Sequence, residues 1–437
     1  MKFFKNSLFK LFLIIFNILI SLRLDFLAAF LIFLSLRKLY FTKKGNKNLI
    51  ILEKSHGIED FRTSYTKKNQ NINIYVLQRK IFNIVFKTVY KNRSSELRDN
   101  YYVIKDQELK NKQEKLLVIL ESLLKNLEKF IYISAFVSFN FKYYAERELH
   151  EACKKNNIKF IACHKECNVF DGEIEYYNKI LKNVGKFKGD LITVYNERYK
   201  NLLIENNIFD PNKIIITGMP RADILFDKTG NSNNHILIFL ISTKRSLKYI
   251  YEASINNKIS DQESVLDWDT LAQKTISAII DVAKNNPSIQ FIFKTKLKKD
   301  PQTLSQQNLI KNSGLKNCKI KYGGFSAKQI KNSKFVIGFN TTGIIESLIA
   351  EKKVLVPYFD IQKDNFKKKF ILNDHNFSIK AKNVDELKNL MTSLINNELV
   401  MENGNDQDKK KLFYDHIGNC DGKSGEKLIN EIAKLIN

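Results

Sequence analysis

The sequence predicts an α/β protein built from two successive doubly wound parallel domains. Three observations point there. Short apolar runs of strand length alternate with helical patterns from Asn48 to the C-terminus. A polar, turn-rich break, "DKTGNSNN" (Asp227 to Asn234), interrupts the alternation, which then restarts. With 437 residues and 44% hydrophobic content, the chain has apolar material for two or three cores. The expected layout is an apolar helical segment over residues 1–45, one α/β domain over 46–228 and a second over 235–437.

Taken in order, "LFKLFLIIFNILISLRLDFLAAFLIFLSLRKLYFTKK" is the strongly apolar segment, broken by Lys10, Arg23 and Asp25. A membrane-spanning helix needs about 20 uninterrupted apolar residues. A central charge costs about 2.5–3.5 kcal/mol on insertion. The expectation is two short helices lying in, or dipping into, an anionic leaflet, with Lys2, Lys5, Arg37, Lys38, Lys43 and Lys44 among the headgroups. A helical pair packed on the following domain and a single tilted span are the alternatives. "NLIILE" and "INIYVL" then read as buried strands, and "LKNKQEKLLVILESLLKNLEKF" as an amphipathic helix. "IYISAFV" is a strand, "FKYYAERELHEACKKNN" a helix, "IKFIAC" and "LITVYN" strands, "ERYKNLLIENN" a helix and "KIIITG" the closing strand.

Beyond the break, "HILIFLIS" is a strand and "DWDTLAQKTISAIIDVAKNN" a helix stopped by Pro287. "IQFIFKTK" and "CKIKY" are strands and "SAKQIKNS" a short helix. "KFVIGFNTTGIIESLIAEKKVLVPYF" gives strand, helix, strand, and two helices follow, "NVDELKNLMTSLINNE" and "DGKSGEKLINEIAKLIN".

Lys+Arg 72 against Asp+Glu 46 gives a net charge of +26, which favours polyanions and membrane surfaces. A bias toward Lys, Asn and Ile accounts for part of that excess. Nucleic acid is not the expected partner, because no RRM, KH or zinc-finger pattern is present. The five cysteines form no C-x-x-C pair, and reduced cytoplasmic thiols are expected. Cys163 and Cys167 flank His164, but that spacing fits no usual zinc pattern, so no metal site is expected.

Parallel sheets bind ligands past the C-terminal ends of their strands, and four strand ends here are polar. After "KFVIGF" come Asn340, Thr341, Thr342 and Gly343, where a helix begins. Backbone N–H groups at a helix N-terminus favour a phosphate, and Gly343 would let a ligand come close. Glu346, one turn in, would reach a ribose hydroxyl; plain helix capping by Asn340 or Thr341 is the alternative. Lys294 and Lys296 alternate after "FIF" and would offset a diphosphate, or else form a solvated basic loop. Arg221 in "TGMPRAD" would bind phosphate bidentately, or else pair with Asp223. His164 and Glu166 leave a strand in "IACHKECNVFDGE" and are the candidates for a general base on an acceptor hydroxyl. A structural role for His164 is the alternative, and His56 is a weaker candidate of the same kind.

The order of these units carries a resemblance. Strand–"TGMPRAD", a break, strand–"KTK", then "IKNSKFVIGFNTTGIIESLIAEKKVLVPYF" and a terminal "GNCDGKSGEKL" resemble the GT-B-fold glycosyltransferases of bacterial surface polysaccharide and capsule biosynthesis. CDP-glycerol glycerophosphotransferases and UDP-N-acetylglucosamine 2-epimerases are more distantly similar. The likeness spans about residues 130–437. It implies two Rossmann-like domains across a cleft, the second holding a nucleotide-sugar donor and the first a glycan or lipid-linked acceptor. By motif, Asn340, Thr341 and Thr342 would contact donor phosphates, assisted by Lys294 and Lys296. Arg221 would lie at the cleft, Glu346 near the ribose, and the terminal helix would pack back. The fold implies metal independence and no cofactor beyond the donor. "KTKLKKD" lacks the histidine of the glycerophosphotransferases, which counts against transfer of a polyol phosphate from a CDP donor, the enzymatic alternative. A non-catalytic scaffold of a polysaccharide assembly complex is the other. The expected location is the cytoplasmic face of the inner membrane.

Overall fold

The computed structural model describes residues 2–42, 45–64, 71–91, 106–169, 173–227, 235–242, 268–359, 377–399 and 405–437. The break at 228–234 therefore lies outside the described residues, as do Lys43 and Lys44. The chain divides into two compact units. The first comprises Met1–Cys167, Lys179–Arg221 and Ser424–Asn437; the second comprises Asn168–Asn178 and Ala222–Lys423.

In the first unit the strands are β1 (Arg37–Tyr40), β2 (Lys47–Leu52), β3 (Ile72–Leu77), β4 (Ala135–Ser138), β5 (Lys159–Cys163), β6 (Leu191–Val194) and β7 (Ile214–Ile216). Their spatial order is β1-β3-β2-β4-β5-β6-β7. All neighbours pair in parallel except β1, which runs antiparallel on β3. Apolar residues on both faces explain the parallel arrangement: Leu49, Ile51, Ile74, Val137 and Ile161 share one core, and the intervening Ile50, Phe136 and Phe160 are buried as well. The order reverses between β2 and β4, which makes their C-terminal ends the topological switch point of this sheet.

The expected helical segment over 1–45 is partly a strand. Arg37–Tyr40 forms the sheet edge, where a basic, short strand is well tolerated. Ahead of it, helices Lys2–Ser21 and Asp25–Ser35 pack on helices Lys80–Tyr90 and Gln107–Leu127. Phe16, Ile20, Ala28, Ala29 and Ile32 are buried in this packing, and Phe130 meets the rings of Phe26, Phe30 and Phe33. The opposite face is exposed and apolar: Leu11, Ile14, Ile18, Leu22 and Leu34 each keep half or more of their surface open. Among the described residues, no helix is long and apolar enough to cross a membrane.

The last helix, Ser424–Ile436, belongs to the first unit, with Leu428, Ile429, Ile432 and Ile436 in its core. Gly425 explains the close approach. A Cβ there would lie 2.7 Å from the Ser64 Cα.

In the second unit the strands are β8 (His235–Phe239), β9 (Gln290–Thr295), β10 (Cys318–Tyr322), β11 (Ser333–Ile337), β12 (Lys353–Pro357) and β13 (Ile379–Ala381). The order is β10-β9-β8-β11-β12-β13, all parallel. Counted along the chain this is 3-2-1-4-5-6, the arrangement of dinucleotide-binding Rossmann sheets. Its switch point lies between β8 and β11.

Candidate functional site: two strand-end clusters

The loop Gly338–Thr341 leaves β11 at that switch point and leads into helix Thr342–Ile349. Asn340 takes a left-handed backbone (φ 46°), which asparagine tolerates better than most residues. Thr341 caps the helix: its hydroxyl oxygen accepts from the Gly343 N–H at 3.3 Å. Asn340, Thr341 and Thr342 stay partly open to solvent. Gly343 serves packing rather than ligand approach. A Cβ at that position would lie 2.6 Å from the ring of Phe239, at the end of β8.

Lys294 and Glu346 converge beneath this loop. Lys294 is buried near the end of β9, where its ammonium donates to the carbonyl oxygens of Gly323 and Gly324. Both glycines are left-handed (φ 58° and 73°) and shape the turn after β10. Burial pulls the Lys294 pKa down, and the Glu346 carboxylate pulls it back up. Glu346 is itself buried and accepts from the Ser326 hydroxyl at 3.1 Å. Lys296, two residues on, is exposed. Strand ends β9, β10 and β11 are thereby tied together around one buried cation and one buried carboxylate.

Sequence reasoning missed the polar network that fixes the β8 end of the same site. The Gln306 side chain accepts from the Ile241 N–H at 3.0 Å and donates to the Ile241 carbonyl at 2.6 Å. Thr295, Thr303 and Gln307 form a second buried chain of hydrogen bonds. A glutamine at 306 with no exposure at all has no sequence signature, because its partner is backbone 65 positions away.

In the first unit, the candidates after β5 part company. His164 is buried at 1% exposure, its ring stacked 4.6 Å from that of Tyr199 and tilted against that of Phe141 at 5.0 Å. Among the described residues neither ring nitrogen has a hydrogen-bond partner, and burial pushes its pKa well below the ordinary value of 6.5. A ring sealed this way is out of reach of an acceptor hydroxyl, so the structural reading fits His164. Cys167 closes the turn: its thiol meets the His164 carbonyl at 3.1 Å and accepts from the Tyr195 N–H at 3.3 Å. That turn leaves Glu166 outside, exposed, accepting from the Asn140 side-chain amide at 3.1 Å. The His56 side chain lies outside the described residues.

Arg221 is committed to Asp60. Its guanidinium meets both Asp60 oxygens, at 3.1 and 3.3 Å, and also donates to the Tyr195 hydroxyl. The Arg221 N–H donates to Asp60 as well, at 3.2 Å. Arg221, expected to bind phosphate or else to pair with Asp223, thus holds a buried ion pair with Asp60. Burial raises the Asp60 pKa even against the pull of this cation. Among the described residues, no group of three or more His, Cys, Asp or Glu side chains is placed to hold a metal ion.

No family model matches the chain. An uncharacterized protein of Plasmodium falciparum (isolate 3D7) is 25% identical over 246 residues, which is 52% of this chain. The chain spans only 15% of the length of that relative. Among solved structures, a UDP-GlcNAc 2-epimerase from Neisseria meningitidis bound to UDP-GlcNAc is similar, with TM-score 0.47, 13% identity and coverage of 89% of this chain and 100% of that one. The UDP-GlcNAc 2-epimerase of Methanocaldococcus jannaschii in complex with UDP-GlcNAc and UDP has TM-score 0.45 and 14% identity, covering 89% and 99%. The lipopolysaccharide outer core galactosyltransferase WaaB has TM-score 0.38 and 8% identity, covering 89% and 99%. TM-scores under 0.5 carry no argument about activity; the architecture stands on strand order and register.

Proposed function

We propose that the protein is a GT-B-type glycosyltransferase that moves a sugar from a nucleotide donor to a hydroxyl of a glycan or lipid-linked acceptor. One observation carries the reading. The "FNTTG" loop lies at the switch point of a 3-2-1-4-5-6 parallel sheet, the position at which open α/β sheets take their ligands. In this reading the donor diphosphate faces Asn340, Thr341 and Thr342 at the helix N-terminus, and Lys296 approaches from β9. Lys294 and Glu346 hold the loops that frame it, with Glu346 toward the ribose. These groups stabilise the nucleoside diphosphate as it departs. Glu166 takes the proton from the acceptor hydroxyl. A carboxylate that is exposed and held by Asn140 suits that role better than the sealed His164. The chemistry needs no bound metal and no cofactor beyond the donor.

The reading includes a membrane surface as partner, at the cytoplasmic face of the inner membrane of a surface-polysaccharide producer. The exposed face of helices Lys2–Ser21 and Asp25–Ser35 supports it, because large apolar patches mark contact surfaces. Cations accompany that face: Lys129 Nζ lies 5.5 Å from the Phe26 ring and Lys38 Nζ 4.4 Å from the Phe41 ring. Ammonium groups beside an apolar face suit an anionic bilayer.

A panel of UDP, GDP, CDP and CMP in a thermal-shift assay tests the donor site. Stabilisation by one nucleoside diphosphate supports it and names the base. CMP release from a CDP-polyol would instead favour polyol-phosphate transfer. No response would favour the scaffold reading, toward which one fact leans: Lys294 and Arg221 both direct their donors at protein partners. Flotation with anionic and zwitterionic vesicles tests the membrane face. Replacing Ile14 and Ile18 with Glu is expected to abolish retention on anionic vesicles, and unchanged retention would end that part of the reading.

A further inference from the structure

The switch point of the first unit gathers a second cluster that the donor chemistry leaves unused. Lys54 follows β2 by two residues, Arg79 follows β3 by two, Asn140, Lys142 and Tyr143 follow β4, and Lys165 and Glu166 follow β5. All lie past the C-terminal ends of parallel strands, where such sheets take ligands.

Charge in this cluster is unbalanced. Arg79 is spent on the buried Glu146 carboxylate, which also accepts from the Ser138 hydroxyl. The Arg79 guanidinium lies 3.3 Å over the Tyr143 ring, and Lys54 Nζ is 5.9 Å from the same ring. Lys54 acts on the same Glu146 from farther off, Glu166 acts on Lys142 and Lys165, and Asp60 acts on Lys165. Among the described residues, no hydrogen bond or ion pair engages the side chain of Lys54 or Lys165. The Tyr143 hydroxyl is buried and likewise has no hydrogen-bond partner there. Lys165 records the imbalance. Burial and the repulsion of Lys54 and Arg221 hold its pKa down at about 8, against the opposite pull of Glu166 and Asp60.

We propose that this edge of β2, β3, β4 and β5 is an anion site that takes a phosphoryl group, a phosphate or diphosphate carried by the acceptor. The proposal deepens the glycosyltransferase reading and rests on it for the word acceptor; the anion site itself does not. Lys54 and Lys165 hold the phosphoryl oxygens, Lys142 adds positive potential, and Tyr143 supplies a neutral donor. Several ammonium groups suit a doubly charged phosphoryl group better than a single carboxylate. Glu166 beside the site then meets the acceptor hydroxyl while the phosphoryl group fixes its position.

The test is calorimetric titration of the full chain with pyrophosphate, after saturation with the nucleoside diphosphate that gives the largest thermal shift. Lys54→Gln and Lys165→Gln are each expected to weaken binding about tenfold, as loss of one charge-assisted hydrogen bond does, with Tm unchanged. Lys294→Gln is expected to leave this binding as it is, which separates the site from the donor site. If no nucleotide binds, the same titration is run without one. The glycosyltransferase reading then falls, while the response to Lys54 and Lys165 still decides the anion site. Binding is expected to weaken as pH rises through about 8, where Lys165 loses its charge, and Lys165→Arg is expected to bind with that pH dependence removed. Pyrophosphate affinity that ignores both Lys→Gln variants, or no binding at all, overturns the proposal. A detergent-solubilised polyprenyl diphosphate that binds more tightly than pyrophosphate, with the same lysine dependence, assigns the group to a lipid-linked acceptor. Equal affinity assigns it to a soluble phosphorylated one.

Discussion

The two switch points solve the same geometric problem with different electrostatics. In the second unit, the β8/β11 site keeps little charge. One buried lysine faces one buried glutamate, and the groups open to solvent are an asparagine, two threonines, a helix N-terminus and the single ammonium of Lys296. In the first unit, the β2/β4 edge carries buried ion pairs, Asp60–Arg221 and Glu146–Arg79, with further lysines around them. A site with few charges offers mainly backbone and hydroxyl donors, whereas one ringed by cations carries a positive field. The contrast teaches that two parallel sheets of different strand order in one chain can place very different electrostatics at their switch points.

The comparison can be broken at its strongest joint first. Arg221→Ala leaves Asp60 buried without its cation and is expected to cost about 3–5 kcal/mol of stability, measured by denaturant unfolding. A cost below about 1 kcal/mol would mean that the buried Asp60 does not depend on this cation. Next, Gly343→Ala drives a methyl group into the Phe239 ring and is expected to cost about 1–3 kcal/mol, with weaker nucleotide stabilisation. Full tolerance would restore a ligand-facing role for Gly343.

A third test uses pH. His164 and His150 are both buried, and burial holds His164 well below 6.5 and His150 at about 3. Both stay neutral in the folded chain and take up protons on unfolding, so their contribution is present above pH 6.5 and is lost as pH falls below it. Each is expected to add about 1.4 kcal/mol per pH unit to the slope. His164→Leu is expected to remove one such increment while retaining activity. Loss of activity at full stability would return His164 to the catalytic list. The smallest effect belongs to Thr341→Ala, about 1 kcal/mol for a lost cap, read as a lower Tm that Thr341→Ser restores.

Much of this architecture was legible from residue patterns. The apolar runs at Leu49–Leu52, Ile192–Val194, Ile236–Phe239 and Val354–Val356 are strands because a parallel sheet covered on both faces needs apolar residues on both. The loop Gly338–Thr341 was legible as a strand-to-helix junction because small polar residues separate a buried strand from a helix, whose cap Thr341 supplies. Edge elements were not. Strand β1 is four residues, "RKLY", with no apolar alternation to distinguish it from a basic flank. The short β13 and the polar helix Asp406–Ile417 carry equally little signal. His164 and Glu166 looked equivalent in "CHKEC", two residues apart after one strand. Only the turn closed by the Cys167 thiol sends the first inward against Tyr199 and leaves the second outside.

By itself, the sequence determined the class: alternating apolar runs and amphipathic helices can bury their faces only in layered parallel sheets, and local spacing sets that. Tertiary structure alone decided which charges meet. Asp60 and Arg221 are 161 positions apart and Arg79 and Glu146 are 67 apart, yet each pair shares one buried point. Strand order brings them there, and strand order follows from the packing of the whole sheet rather than from any stretch of chain. The same holds for the surplus of lysines at the β2/β4 edge. Each is an ordinary loop residue in the sequence, and they become a field only because four strands end side by side.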